Sequence, residues 1–200
     1  MNKKQTLLII ALVFVLLLGG AYALYGHLSQ NMSTDQLAVQ DSQAGNETQS
    51  PASDDNAEPQ KILAPDFTVY DQDGNEVHLH DYIGKPIVLN FWASWCGPCQ
   101  MEMPDFHEKY LELGEEAHFL MINITTGRET LDSAKSFIAE QGYTFPVLYD
   151  TSSDAAMTYG AYSLPMTFFI DADGYAIAQA TGAISGDILQ QGIDLILPAQ

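Results

Sequence analysis

The chain has 200 residues and a formal net charge of −19, because 26 Asp and Glu residues outnumber seven Lys and Arg residues. This length accommodates one ordinary domain with appendages, and 46% hydrophobic residues is a globular composition. Proteins that bind nucleic acid need a basic patch or stripe, so the charge balance argues against that class, and we expect no nucleic-acid partner.

An apolar segment lies near the N-terminus. Lys3 and Lys4 precede an uncharged stretch, residues 7–25, which as a helix would be about 28 Å long, close to the ~30 Å hydrocarbon core of a bilayer. Positive charge only before the stretch places the remainder of the chain outside the cytoplasm. The Ala-Tyr-Ala at 21–23 also fits a signal-peptide cleavage site. We therefore expect residues 1–26 to be a single-pass membrane anchor or, alternatively, a cleaved signal peptide.

The segment that follows, residues 27–60, is polar and acidic. It is rich in Gln, Ser, Asp, Asn and Ala and contains no Lys, Arg or aromatic residue. Such a composition buries too little apolar surface to offset the entropy lost on folding. We predict a disordered acidic linker here and a folded domain over residues 61–200.

The folded domain alternates strand-like and helix-like segments. Strand-like runs at 67–70 and 77–80 flank an Asp-Gly turn and predict a β-hairpin. Continuous apolar runs predict buried strands at 86–92 and 117–124. The other predicted elements are helices at 98–113, 131–139, 153–159 and 184–197, and strands at 145–149, 166–170 and 175–181. This alternation predicts an α/β domain with helices on both faces of a sheet.

Both cysteines of the chain, Cys96 and Cys99, belong to one Cys-x-x-Cys. A zinc site would need a second ligand pair, which the histidine spacing does not supply, so we expect no metal. A bridge across so short a loop restricts the unfolded chain little, which argues against a purely structural disulfide. The pattern therefore favours a redox-active pair, whose chemistry needs no cofactor.

The position of the pair predicts a role for each cysteine. Cys96 directly precedes a helix, whose N-terminal dipole and free N–H groups stabilise a thiolate, so we expect Cys96 to be the nucleophile and partly exposed. Cys99, one turn further on, is expected to be buried and to resolve the mixed disulfide. Gly97 and Pro98 shape the turn that keeps the two sulfurs within reach.

The run Trp-Cys-Gly-Pro-Cys at 95–99 closely resembles the signature of the thioredoxin superfamily. Residues 159–170 resemble the segment that carries a cis-proline beside the active site in this superfamily. The resemblance covers about residues 65–198. It implies a cis Leu164–Pro165 bond, Leu164 backbone groups that bind substrate as an added strand, and Trp95 packed beside the cysteines.

Three features resemble the TlpA/ResA-like branch of this superfamily. Asn90 stands where cytosolic thioredoxins carry a buried aspartate, Glu102 matches a glutamate near the cysteines, and residues 131–149 match an inserted helix–strand unit. The implied structure is a thioredoxin-like fold with an N-terminal β-hairpin, this insertion, and a central mixed sheet flanked by helices. Met166 departs from the pattern, since threonine is more usual after the proline, and is expected to alter the substrate groove.

Glu102 has two interpretations. It is either a solvated carboxylate stabilised by the helix dipole, or a partly buried acid that exchanges a proton with the cysteine pair. Because Asn90 cannot titrate, another group must take the proton of Cys99, and we therefore favour the second interpretation.

The resemblance implies a reductase of disulfide-containing proteins that works outside the membrane. Its implied partner is a membrane dithiol electron donor of the CcdA/DsbD type, and one target in this branch is the haem-attachment cysteine pair of apocytochrome c. Alternatives are a disulfide-introducing oxidase, a peroxiredoxin-like peroxidase and a non-catalytic binding module. The peroxidase motif has Thr or Ser three residues before its cysteine, where this chain has Ala93.

Overall fold

The computed structural model of the protein describes residues 37–39 and 62–198. The predicted anchor or signal peptide, and the predicted linker apart from residues 37–39, lie outside the described residues. Within the described part of the chain, no helix has the length and apolar character needed to cross a membrane.

The described strands form one mixed sheet. They are β1 (Leu37–Val39), β2 (Ile62–Leu63), β3 (Thr68–Tyr70), β4 (Glu76–His78), β5 (Ile87–Trp92), β6 (His118–Asn123), β7 (Val147–Tyr149), β8 (Met166–Ile170) and β9 (Tyr175–Thr181). Their order in the sheet is β1-β9-β8-β5-β6-β7-β3-β4, with β2 also paired to β9. Strands β5, β6 and β7 run parallel, and β8 and β9 are antiparallel to their neighbours.

In the described ranges, four α-helices and one 3₁₀ turn accompany these strands. They are the 3₁₀ turn Leu79–Tyr82 and the helices α1 (Gly97–Leu113), α2 (Leu131–Gln141), α3 (Asp154–Thr158) and α4 (Gly186–Ile196). The predicted inserted unit is therefore present as α2 and β7, with β7 parallel to β6.

The core lies on both faces of β5, all of whose side chains are buried. Val88 and Trp92 belong to one apolar cluster, which includes side chains from α1, α2 and α4. Leu89 and Phe91 belong to the other cluster, which α3, the hairpin and the 3₁₀ turn cover. Adjacent strand residues point to opposite faces, so one continuous apolar run serves both clusters. The predicted thioredoxin-like fold, with helices on both faces of a mixed sheet, is confirmed.

Helix α4 lies very close to the sheet. A Cβ atom at position 192 would clash with the Phe169 ring on β8, so only glycine permits this approach. The close packing brings the loop before α4 over α1, where the Ile184 N–H reaches the site described below.

Local hydrogen bonds explain where the structure departs from the predicted elements. The second hairpin strand ends at His78 rather than at residue 80, because the Asp81 carboxylate accepts from the His78 N–H and Asp66 accepts from the His80 N–H. These side chains take backbone groups that a longer strand would need.

The start of α3 also differs from the prediction. The helix begins at Asp154 rather than at residue 153, because Ser153 has a left-handed φ of 63°, and the Ser153 side chain makes no cap. The buried Asp150 carboxylate accepts instead from the Ala156 N–H at 2.8 Å.

The predicted linker contains one short strand. Leu37–Val39 pairs antiparallel with residues 178–180 of β9, so the prediction of disorder over 27–60 is wrong for these three residues. They form the longest apolar run of that segment, and β9 would otherwise present an open edge here.

Candidate active site

The two cysteines meet at the N-terminus of α1, where they form a disulfide with their Cα atoms 5.2 Å apart. Cys96 is the N-cap of this helix, and its Sγ accepts from the Cys99 N–H at 3.3 Å. In the reduced protein the same N–H groups and helix dipole would stabilise a Cys96 thiolate. The geometry therefore fits the role that the sequence predicts for Cys96.

The two sulfurs differ less in exposure than expected. Cys99 is fully buried, as predicted, but Cys96 is only 5% exposed, so the expectation of a partly exposed Cys96 is wrong for the disulfide form. The physical reason is the bond itself, which ties Cys96 Sγ to a sulfur in the core. Access to Cys96 is through a groove on the surface.

This groove has a volume of about 480 Å³ and brings together Cys96, Trp95, Gly97, Pro98 and Leu164. All of the predicted substrate-binding residues therefore line it except Pro165, which follows Leu164 in the chain and is buried. Met166, which was expected to alter the groove, is not among its lining residues and packs on the apolar cluster that contains Phe91.

The Leu164–Pro165 peptide bond is cis, as the resemblance implies. Leu164 is half-buried, and within the described residues its N–H and C=O make no hydrogen bond. Backbone groups of this kind are the ones that an extended peptide binds when it adds to a sheet edge. Their position in the groove beside Cys96 fits the predicted contact with substrate.

Glu102 lies one turn after Cys99 and is only 2% exposed, so the interpretation as a solvated carboxylate is wrong. Its Oε1 accepts from Asn90 Nδ2 at 2.9 Å and its Oε2 accepts from the Ile184 N–H at 3.0 Å. Burial raises the pKa of Glu102 to about 7, against the opposing effect of these two hydrogen bonds. A carboxyl group with this pKa can hold or release a proton near neutral pH.

Asn90 connects Glu102 to the neighbouring strand. Its Nδ2 donates to Glu102 and also to Thr167 Oγ1 at 3.0 Å, while its buried Oδ1 has no hydrogen-bond partner among the described residues. Turned over, the amide would offer Oδ1 to a protonated Glu102 and to the Thr167 hydroxyl, which can donate or accept. The Asn90 amide can thus accompany either protonation state of Glu102.

Comparisons with known proteins agree with this geometry. The model of the AhpC/TSA family matches residues 62–178. The chain is 37% identical over 138 residues to the thiol-disulfide oxidoreductase ResA of Bacillus thuringiensis, covering 68% of this chain and 77% of that protein. It is 32% identical over 200 residues to ResA of Geobacillus thermodenitrificans, covering 99% and 100% of the two chains.

The chain belongs to the AhpC/TSA family, among its ResA-like thiol–disulfide oxidoreductases. A solved structure, the exposed lipoprotein thioredoxin Etrx1 of Streptococcus pneumoniae, superposes with a TM-score of 0.57 at 34% identity, over 66% of this chain and 100% of that one. The fold and the class of enzyme predicted from the sequence are therefore confirmed.

This ResA-like site contains a second buried carboxylate, Glu129, which the sequence did not point to. It is 3% exposed, and its Oε2 accepts from the Ser94 N–H at 3.2 Å and the Ser94 hydroxyl at 2.9 Å. Its Oε1 accepts from Asn123 Nδ2 at 3.3 Å, and the Ser133 hydroxyl lies 3.4 Å away. Glu129 therefore ties the loop before Cys96 to β6 and α2.

Arg128, next to Glu129, was also not predicted. Its guanidinium carbon lies 3.6 Å from the centroid of the Trp95 ring, and both side chains line the groove of this ResA-like enzyme. Stacking of this kind is a cation–π contact. Trp95 itself is 45% exposed, so besides lying next to Cys96 in the chain it forms a wall of the groove.

Proposed function

We propose that the protein reduces disulfides in target proteins on the extracytoplasmic side of a membrane, with Cys96 and Cys99 as the electron donors. One observation carries this proposal. The sulfur of Cys96, which caps helix α1 and lines the groove, is bonded to the sulfur of the fully buried Cys99, three residues further along the chain. A vicinal pair placed in this way can bind a substrate sulfur and then release it.

The reaction has two exchanges. The Cys96 thiolate attacks one sulfur of the substrate disulfide, so a mixed disulfide forms and the other substrate sulfur leaves as a thiolate. Cys99 then attacks Cys96 Sγ, which forms the Cys96–Cys99 disulfide and releases the second substrate sulfur. The substrate gains two electrons and two protons, and the enzyme loses them.

Glu102 is proposed to serve as the proton acceptor and donor for Cys99. The thiol of buried Cys99 must lose its proton before it can attack, and Glu102 lies on the same side of α1, one turn further on. Its pKa of about 7 allows it to accept that proton and release it at neutral pH. Asn90, which cannot titrate, would orient the carboxyl group.

The substrate is proposed to lie in the groove as an extended segment. Leu164 would offer its backbone groups, with Pro165 behind it, while Trp95, Gly97 and Pro98 would surround the substrate sulfur next to Cys96. Extended cystine-containing segments fit this description, and the haem-attachment cysteine pair of apocytochrome c is one example.

The proposed partner that restores the dithiol is an integral-membrane dithiol carrier of the CcdA/DsbD type. Two features support this arrangement: residues 7–25 have the length and charge pattern of a membrane anchor, and the sequence resembles membrane-tethered members of its branch. Net reduction, rather than net oxidation, is supported by the Gly97-Pro98 dipeptide, which resembles that of reducing thioredoxins.

Trapping tests the proposed function. Cys99→Ala should leave substrate covalently bound to Cys96, because the resolving thiolate is absent, and the captured protein identifies the target. Cys96→Ala is the matched control and should capture nothing. The wild-type protein should also reduce insulin disulfides with dithiothreitol as the electron source and should not consume hydrogen peroxide.

Two results would contradict the proposal. Failure of the wild-type protein to reduce insulin, together with no captured protein in the Cys99→Ala variant, would exclude a disulfide reductase. A reduction potential above about −180 mV would indicate the disulfide-introducing oxidase instead, since this is the range of oxidising members of the fold.

A further inference from the structure

Arg128 is the one charged side chain among the described residues that line the groove beside Cys96. It is exposed, and within the described residues its guanidinium makes neither a hydrogen bond nor an ion pair. It is also the chain's single arginine, one of seven basic residues against 26 acidic ones. The guanidinium is therefore free to bind an anionic group that enters the groove.

The contact with Trp95 determines how such a partner can bind. At 3.6 Å from the ring centroid, the guanidinium carbon lies over the face of the indole. Stacking occupies a face of the guanidinium and leaves the N–H groups in its plane free to donate. A planar fork of N–H donors matches a carboxylate, which can accept two parallel hydrogen bonds. Because Trp95 already restrains the side chain, less conformational entropy is lost when an anion binds.

We propose that Arg128 binds a carboxylate of the substrate, so that the groove selects extended segments with an Asp or Glu close to the cystine. The inference rests on the proposed function and names a feature of its substrates. It concerns a local contact, because the net charge of −19 repels an acidic partner at longer range. The preferred target is therefore a protein without a strong negative charge of its own that carries one acidic side chain near its disulfide.

Disulfide peptides test this selection with the full-length protein. The reference peptide has Gln at the three positions on each side of its cystine, and six further peptides each replace one Gln by Glu. The quantity measured is the ratio of kcat/KM for each Glu peptide to kcat/KM for the reference peptide. Dithiothreitol regenerates the enzyme, since glutathione carries carboxylates that would compete for Arg128.

We expect at least one Glu position to raise kcat/KM by about 5- to 10-fold in the wild-type protein, the size of a partly exposed charge-assisted contact. In Arg128→Gln this ratio should fall to about 1, and in Arg128→Lys it should be intermediate, because lysine keeps the charge but loses the fork. Lys109→Gln is the matched control. It removes the same charge from a surface pair with Glu112 on α1 and should keep the wild-type ratio.

The possible failures are distinguishable. If the wild-type protein reduces all seven peptides at similar rates, the inference is wrong and the reductase function stands. If Arg128→Gln slows every peptide equally and leaves the ratio unchanged, Arg128 only supports Trp95, and the inference is again wrong. If the wild-type protein reduces neither the peptides nor insulin, it is the proposed function that fails.

Discussion

Two buried carboxylates lie close to the cysteine loop, and they differ in their surroundings rather than in their burial. Glu102 is 2% exposed and Glu129 is 3% exposed. Glu102 accepts from two donors, the Asn90 amide and the Ile184 N–H, whereas four donor groups of Ser94, Asn123 and Ser133 surround Glu129. Burial alone therefore does not distinguish a group that exchanges protons from a group that holds a loop.

The difference assigns a separate role to each residue. Few donors and an adjacent amide that can turn over allow Glu102 to exist with or without its proton, in keeping with a pKa of about 7. The donors around Glu129 come from β6, α2 and the loop before Cys96, so its carboxylate joins three parts of the chain. We infer that Glu102 takes part in the chemistry and that Glu129 positions the loop that carries Cys96.

The largest predicted effect is on stability at Glu129. Glu129→Ala should lower the free energy of unfolding by about 3–4 kcal/mol, because the buried Asn123 Nδ2 and the partly buried Ser94 N–H would lose their acceptor. Glu129→Gln keeps the shape and one acceptor oxygen, so its cost should be about half as large. Urea unfolding of the full-length, oxidised chain at pH 7 measures both values.

The size of this cost shows whether Glu129 holds the loop before Cys96 or makes contacts that solvent can replace. A cost below about 1 kcal/mol for Glu129→Ala would mean that solvent satisfies the same donors, since exposed contacts contribute about that much. Glu112→Ala, in an exposed ion pair on α1, is the control and should change the unfolding free energy little.

The next effect is the pH dependence of stability that Glu102 causes. Its pKa is about 7 in the folded protein and 4.5 in the reference state, so the folded protein holds this proton more tightly. The resulting stabilisation is complete below pH 4.5 and is lost as the pH rises through 7, by up to about 3 kcal/mol. Glu102→Gln mimics the protonated form and cannot titrate, so it should lose this dependence.

Unfolding free energies of the wild-type protein and of Glu102→Gln at pH 4.5, 6 and 8 check the prediction. The two proteins should differ least at pH 4.5, and the variant should gain relative to the wild type as the pH rises. The disulfide must stay intact in both, so that the cysteines do not titrate. A constant difference across this range would show that Glu102 keeps an ordinary pKa, and its proposed role with Cys99 would lose its support.

Much of the site could be predicted because its residues are close in sequence. Cys96, Cys99 and Glu102 lie within the first turns of one helix, so helical geometry alone places them on neighbouring positions. The strand that ends before the loop is apolar except for Asn90, and this pattern predicted a buried strand directly. The resemblance added Pro165, which lies far along the chain.

Glu129 and Arg128 could not be predicted in the same way. Glu129 is 35 residues from Ser94, and only the parallel register that sets Trp92 opposite Asn123 brings their loops together. Register of this kind depends on tertiary packing rather than on local preference. Strand β1 was missed for a similar reason, since a short apolar run in a polar segment gains structure only from the open edge of β9.

The smallest predicted effect tests whether Glu129 acts through the loop at all. Ser94→Ala removes one of the two donors that this residue offers to Glu129 but keeps its backbone N–H, so the cost should be about 1 kcal/mol. In the Glu129→Ala background the same substitution should cost close to nothing, because the serine hydroxyl has already lost its acceptor. A double-mutant cycle of urea unfolding measures the difference, which we expect to be about 1 kcal/mol. Additive costs would instead mean that the Ser94 hydroxyl and Glu129 stabilise the protein independently, and that this hydrogen bond does not fix the loop before Cys96.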